Sequence, residues 1–162
     1  WIGWERKRGK LEQLVAVLAD AQLASPFLDL GARSQPLRPT PHLLTLDSDT
    51  VLPPSALRDL MGVAVHPLNR PRVDTARGRV ASGHAVLQPR IDMAWPGTGQ
   101  ATLFHRLFAG EPGQDPYNGP SSEVFSDLFD EATFCGKGLL HVATMQALLA
   151  GRLPEASRGL AK

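Results

Sequence analysis

The run His42-Leu43-Leu44-Thr45-Leu46, closed by Asp47-Ser48-Asp49-Thr50, constrains this chain more than any other stretch. A short apolar segment ending in two aspartates reads as a buried strand that delivers carboxylates to the carboxyl edge of an open α/β sheet. That edge is where such folds bind ligands. Residues two apart on a strand share a side, so an extended backbone lets Asp47 and Asp49 face one polar pocket while Ser48 faces the other way. Two hard oxygen donors beside a loop suit Mg²⁺ or Mn²⁺, above all an ion that also holds substrate phosphates. Asp-x-Asp is equally the chemistry of a turn or a helix cap, and the bare spacing leaves that reading open.

Helical segments surround the run. Leu11, Leu14, Val15, Leu18 and Ala19 follow the three-four repeat of an amphipathic helix over Leu11 to Leu23, fed by the basic turn Trp4 to Lys10. Ser25 to Pro41 carries four prolines and little periodicity and reads as a loop. After Asp49, Leu57, Leu60, Met61 and Ala64 mark a helix over Ala56 to Val65, with Pro54 where a first turn tolerates proline. His66 to Gly83 is a Pro- and Arg-rich excursion, and Ala85-Val86-Leu87-Gln88-Pro89 reads as a second strand beside the first, ended by Pro89. Thr102 to Ala109 and Ser122 to Phe129 read as short helices divided by the Gly- and Pro-rich loop Gly110 to Pro120. Phe134-Cys135-Gly136-Lys137-Gly138 reads as a helix-entry turn before a last amphipathic helix, whose packing residues are Leu139, Leu140, Val142, Ala143, Leu148 and Leu149. The expected class is therefore α/β in one domain over residues 1–162, with Leu43 to Leu46 as a central strand.

Composition narrows the function. Seventeen Lys+Arg against sixteen Asp+Glu give no general attraction to nucleic acid or a membrane surface, so specificity must reside in a local site. One cysteine, Cys135, cannot form an internal disulfide, and no apolar run reaches the length of a membrane span. The chain opens on Trp1-Ile2-Gly3-Trp4 without a methionine, which points to a piece of something longer. Lys10 is the best phosphate contact in the basic turn, set against an ordinary solvated patch. Gln88 and Arg90 can face a ligand, and Gly136 and Gly138 allow close backbone approach to one. Gly136-Lys137-Gly138 lacks the spacing of a P-loop. His105 and His141 stand among apolar neighbours without a second histidine at ligand spacing, which favours packed or surface histidines over zinc ligands.

Six segments in one order resemble the glycosyltransferase domain of the bacterial cyclic β-1,2-glucan synthases. They are Trp4-Glu5-Arg6-Lys7-Arg8-Gly9-Lys10-Leu11, Thr45-Leu46-Asp47-Ser48-Asp49-Thr50, His66-Pro67-Leu68-Asn69-Arg70-Pro71, Leu87-Gln88-Pro89-Arg90, Asp127-Leu128-Phe129 and Phe134-Cys135-Gly136-Lys137-Gly138. The resemblance implies a partial GT-A-like nucleotide-sugar-binding sheet flanked by helices. It also implies an inverting glucosyltransferase that uses Mg²⁺ or Mn²⁺ to move glucose from UDP-glucose to a growing β-1,2-glucan. By position, Asp49 would hold the metal, Asp47 would contact metal or ribose, and Lys10 would lie near the donor diphosphate. Gln88, Arg90 and Gly136-Lys137-Gly138 would lie towards the acceptor. A membrane-embedded parent protein, with this part at the cytoplasmic face of the bacterial inner membrane, is implied as well.

The family pattern continues past Pro154-Glu155 into a His-Asp pair whose aspartate is the expected catalytic base. Here Ala156-Ser157-Arg158-Gly159-Leu160-Ala161-Lys162 follows, so the base is expected to lie outside these residues and the chain alone to be inactive in transfer. A non-catalytic remnant that at most binds nucleotide or a partner is the second reading. A haloacid-dehalogenase-like phosphatase is a third, since its strand also ends in Asp-x-Asp with the first Asp as nucleophile. That pattern wants threonine two places after the second aspartate, and Thr50 follows Asp49 directly.

Overall fold

The structure is a computed structural model that describes residues 6–20, 22–35, 39–89, 99, 101–104, 128 and 136–149. Two compact units emerge, one of Trp1–Leu87 with Gly138–Lys162 and the other of Gln88–Lys137. The first holds every strand and helix detailed below.

Helix α1 spans Arg6–Ala19. It therefore starts within the segment expected to be a basic turn and stops short of Leu23. Arginine and lysine are good helix formers, and Gly9 is buried, so its cost of about 1 kcal/mol relative to alanine is tolerated by packing. Past Ala19 the chain turns on Asp20, whose carboxylate accepts from the Gln22 N–H at 2.8 Å. A loop with one 3₁₀ turn, Gly31–Ser34, leads on, and the Thr40 N–H returns to the Leu18 carbonyl at 3.2 Å.

Strand β1 is His42–Thr45, and α2 spans Ala56–Val65 as its apolar spacing predicts. Asp59 in the first turn of α2 suits the positive end of the helix dipole. The helix ends where Pro67 forbids another turn. There the Val63 carbonyl accepts from the His66 main-chain N–H at 3.3 Å and from the Asn69 side-chain amide at 2.8 Å. A 3₁₀ turn, Pro67–Asn69, follows, then strands β2 (Arg72–Asp74) and β3 (Arg79–Ser82). These two form an antiparallel hairpin whose turn is organised by Asp74, which accepts from the N–H groups of Ala76 and Arg77, with Gly78 at φ 63°. This pairing lies inside what reads from sequence as an irregular excursion.

Strand β4 is Val86–Leu87, β5 is Gly138–His141, and α3 is Val142–Leu149. The order β1-β5-β4 is antiparallel throughout. Two expectations are corrected here. Leu139 and Leu140 belong to a strand and not to the last helix. β1 is also an edge rather than the centre among the described strands, with β5 between it and β4. A four-residue apolar run fits strand or helix equally, and the ladder bonds on both sides of β5 decided the matter.

The register fixes which residues share a face. Leu43 pairs with Leu140 and His42 with His141, so the leucines point to one side of the sheet and the histidines to the other. On the leucine side Val15, Leu18 and Val142 form a buried cluster joined by Leu14, Ala19, Leu43 and Met145, which packs α1 and α3 onto the sheet. Ala64 of α2 lies on the histidine side.

Candidate functional site

Strand β1 ends at Thr45, so the aspartates lie beyond the pleat. The Thr50 N–H donates to the Asp47 carbonyl at 3.1 Å, which closes a turn over Asp47, Ser48, Asp49 and Thr50. The strand alternation expected to align the two carboxylates does not operate here. The two aspartates instead share one short turn, the turn chemistry that Asp-x-Asp also allows. Asp49 is exposed and Asp47 half-buried. Thr45, directly before the turn, is buried at 5% exposure, and its hydroxyl donates to the Gly138 carbonyl at 3.1 Å. The turn is thus rooted on a strand held by main-chain and side-chain bonds to β5.

Lys7 reaches this turn. Its Nζ forms an ion pair with Asp47 Oδ1, and the two side chains remain 47% and 40% exposed. The contact brings the first turn of α1 to the end of β1. There Asp47 offsets both the ammonium charge and the positive end of the helix dipole. Lys10, the donor-phosphate candidate, lies one turn further into α1 and is exposed. Its main-chain N–H is inside the helix, so only its side chain is available to an anion. Lys7 is the residue that sequence reading passed over. Continuing the helix back through Gly9 places Lys7 three residues before Lys10, close to the same face, and that is the signal that would have found it.

The remaining candidates stand as follows. Gly138 is the first residue of β5 and buried, so the Gly136-Lys137-Gly138 segment enters a strand and not a helix. Gly136 has φ 85°, the conformation that favours glycine. Gln88 and Lys137, with Gly136, belong to the other compact unit. Arg90, Cys135, His105, the segments Gly110 to Pro120 and Ser122 to Phe129 except Leu128, and the stretch after Leu149 lie outside the described residues. Among the described residues no cluster of three or more His, Cys, Asp or Glu is arranged to hold a metal by itself. No helix among them is long and apolar enough to cross a membrane.

The segment His66 to Pro71 has a clear structural task. The His66 Nδ1 accepts from the Leu68 N–H at 3.3 Å, and the Asn69 carbonyl accepts from the His84 N–H at 3.0 Å. Gly83, at φ 73°, lies so close that an added Cβ would stand 2.1 Å from the Arg70 carbonyl oxygen. These contacts clasp the end of α2 to the loop before β4.

No protein-family model matches the chain. Against curated proteins, 155 residues, 96% of the chain, align at 41% identity with the cyclic beta-(1,2)-glucan synthase NdvB of Rhizobium meliloti (strain 1021). The chain resembles a stretch of a cyclic β-(1,2)-glucan synthase. It spans 5% of that relative's length. The ordered segments quoted above are consistent with an identity of this extent, and the mixture of helices and strands is consistent with an α/β class.

Proposed function

We propose that this chain contributes part of the donor site of a metal-dependent inverting glucosyltransferase, acting from UDP-glucose to a growing β-1,2-glucan. The observation that carries the reading is the 41% identity to a cyclic β-(1,2)-glucan synthase across nearly all of the chain, the Asp47–Thr50 turn included. The turn fits a divalent cation in its donor chemistry. It offers one exposed and one half-buried carboxylate, and Asp47 already attracts one cation in Lys7. Mg²⁺ or Mn²⁺ bound there would neutralise charge on the departing UDP. Asp49 would hold the metal and Asp47 would share it or meet the ribose.

Lys7 and Lys10 project from α1 near one another and would supply positive charge for the donor diphosphate, with Lys7 exchanging its partner from Asp47 to phosphate as metal binds. Gln88, Arg90 and Gly136-Lys137-Gly138 would serve the acceptor glucan. The general base that takes the acceptor hydroxyl proton is assigned to none of these residues, since Asp47 and Asp49 are committed to donor and metal. The GT-A arrangement of the sheet and a location at the cytoplasmic face of a bacterial inner membrane belong to the same proposal.

Calorimetry of UDP with Mn²⁺ tests the donor site directly. Binding should require both ligands together and disappear in Asp49→Ala. Metal-independent UDP binding, or binding unchanged in that variant, would remove Asp49 from the site.

A further inference from the structure

The histidine side of the sheet carries an arrangement that the donor site does not use. His42 and His141 face each other across β1 and β5, with ring centroids 5.3 Å apart and planes at 76°. The Val142 N–H donates to the Pro41 carbonyl at 3.0 Å, just outside this pair. The pair is therefore of the non-hydrogen-bonded type, in which side chains approach most closely. Both rings line a small, partly open cavity of about 10 Å³ together with Ala64, Pro71, His84, Ala85, Leu87 and Leu139. The Nδ1 of His42 is buried and has no hydrogen-bond partner among the described residues.

His141 has a second task. It immediately precedes α3, and its Nδ1 lies 3.4 Å from the Thr144 N–H and 2.9 Å from the Thr144 hydroxyl oxygen. An N–H donates only to an acceptor, so Nδ1 must be unprotonated and the neutral ring carries its hydrogen on Nε2. The imidazole thus acts as the side-chain cap of α3, bonding the third residue of the helix as serine or aspartate does elsewhere. A proton on Nδ1 would take that acceptor away from the Thr144 N–H, leaving Nδ1 only the hydroxyl oxygen of Thr144 to donate to. It would also place a positive charge at the positive end of a helix.

We propose that His141 and His42 form a pH-sensitive latch. While both rings are neutral they hold β1 against β5 and cap α3, and proton uptake releases both contacts together. The surroundings favour the neutral state. Arg70 acts electrostatically on His141, and His84 is the other titratable group lining the cavity. The α2 helix contributes Ala64, β4 contributes Leu87 and α3 contributes Thr144, none of which can neutralise a proton. Burial lowers both imidazoles below the usual histidine value, and for His141 the charges of His42 and Arg70 add to that effect. A lowered folded value means that the unfolded chain binds protons first on acidification. The latch contributes fully above the ordinary histidine pKa of about 6.5 and is lost as pH falls through the lower folded values. The turn bearing Asp47 and Asp49 follows β1 directly, so its anchorage is coupled to the latch whatever it binds.

The test is amide hydrogen exchange on the 162-residue chain, corrected for intrinsic rates, at about pH 7.5 and about pH 5.5. One coupled proton should accelerate exchange at Leu43, Leu140 and Thr144 by about tenfold on acidification relative to Val17 of α1. His141→Asn keeps an acceptor near the Nδ1 position and cannot titrate in this range, so Thr144 should retain protection at both pH values and Leu43 and Leu140 should lose less than in the wild type. A variant that loses protection on acidification as the wild type does would overturn the latch. So would a wild type whose three amides follow Val17. Imidazole titration by NMR in the unmodified chain provides the second measurement, independent of any variant's folding. His42 and His141 must titrate below the ordinary histidine value, and a midpoint at or above it for His141 refutes the proposal.

Discussion

The two sides of the β1-β5-β4 sheet are built from the same strands and do different work. On one side Leu43 packs with Val15, Leu18 and Val142 of α1 and α3, and its neighbour on that face, Leu140, is 2% exposed. On the other side His42 and His141 edge an open cavity, and a buried ring nitrogen lacks a partner among the described residues. Period-two alternation sends neighbouring residues of one strand into these opposite environments. The packed side supplies stability that varies little with pH. The cavity side contains polar groups whose contribution depends on protonation.

The largest effect is expected on the packed side. Leu140→Ala removes a side chain that is 2% exposed and should cost about 3 kcal/mol, read as a lower denaturant midpoint with an unchanged slope. A cost below that of a surface substitution would show that α1 and α3 do not close this side. The clasp that borders the cavity side comes next. Gly83→Ala forces a left-handed backbone onto alanine and drives Cβ into the Arg70 carbonyl, so a loss of about 2 kcal/mol is expected in the same measurement. Retention of wild-type stability would mean that the His66 to Pro71 turn can withdraw from Gly83 freely.

The cavity side itself should be far more tolerant at neutral pH. His42→Leu gives up an edge-to-face ring contact but removes an Nδ1 that has no partner among the described residues, so the net change should stay within about 1 kcal/mol. The same variant should lose less stability than the wild type on acidification, because one of the depressed imidazoles is gone. Equal acid sensitivity would transfer the pH dependence to other groups. Smallest of all is the Lys7–Asp47 pair. Half-exposed ion pairs are screened, and Lys7→Met should alter stability by no more than about 0.5 kcal/mol. A large loss in thermal midpoint would make the pair a structural element rather than part of a ligand site.

Much of the chain between His42 and Val65 was legible without coordinates. A dense apolar run gives β1, and leucines and alanines at helical spacing give α2 with the observed limits. Elsewhere local signals competed. Gly-Lys-Gly before two leucines and a histidine is compatible with a helix start, and only pairing on both edges made Gly138–His141 a strand. The β2–β3 hairpin was obscured because arginines alternate with Val73 and Val80 on short strands, where charge looks like loop. Helix α1 began earlier than expected because a glycine that breaks helices in isolation is tolerated when buried.

Sequence by itself determined the chemistry available at the turn after β1: two carboxylates spaced by one residue, with a basic segment upstream and a threonine that closes the turn. These are local properties, written in composition and spacing along a few residues. Tertiary structure alone decided that Lys7 and not Lys10 meets Asp47, and that β5 inserts between β1 and β4. It also decided that His42 and His141 share one side of the sheet while Leu43 and Leu140 share the other. Each of these depends on the register between segments distant in the chain. Register is selected by the summed burial of a whole face, since a shift of one residue would exchange the histidines with the leucines and expose the core that α1 and α3 cover.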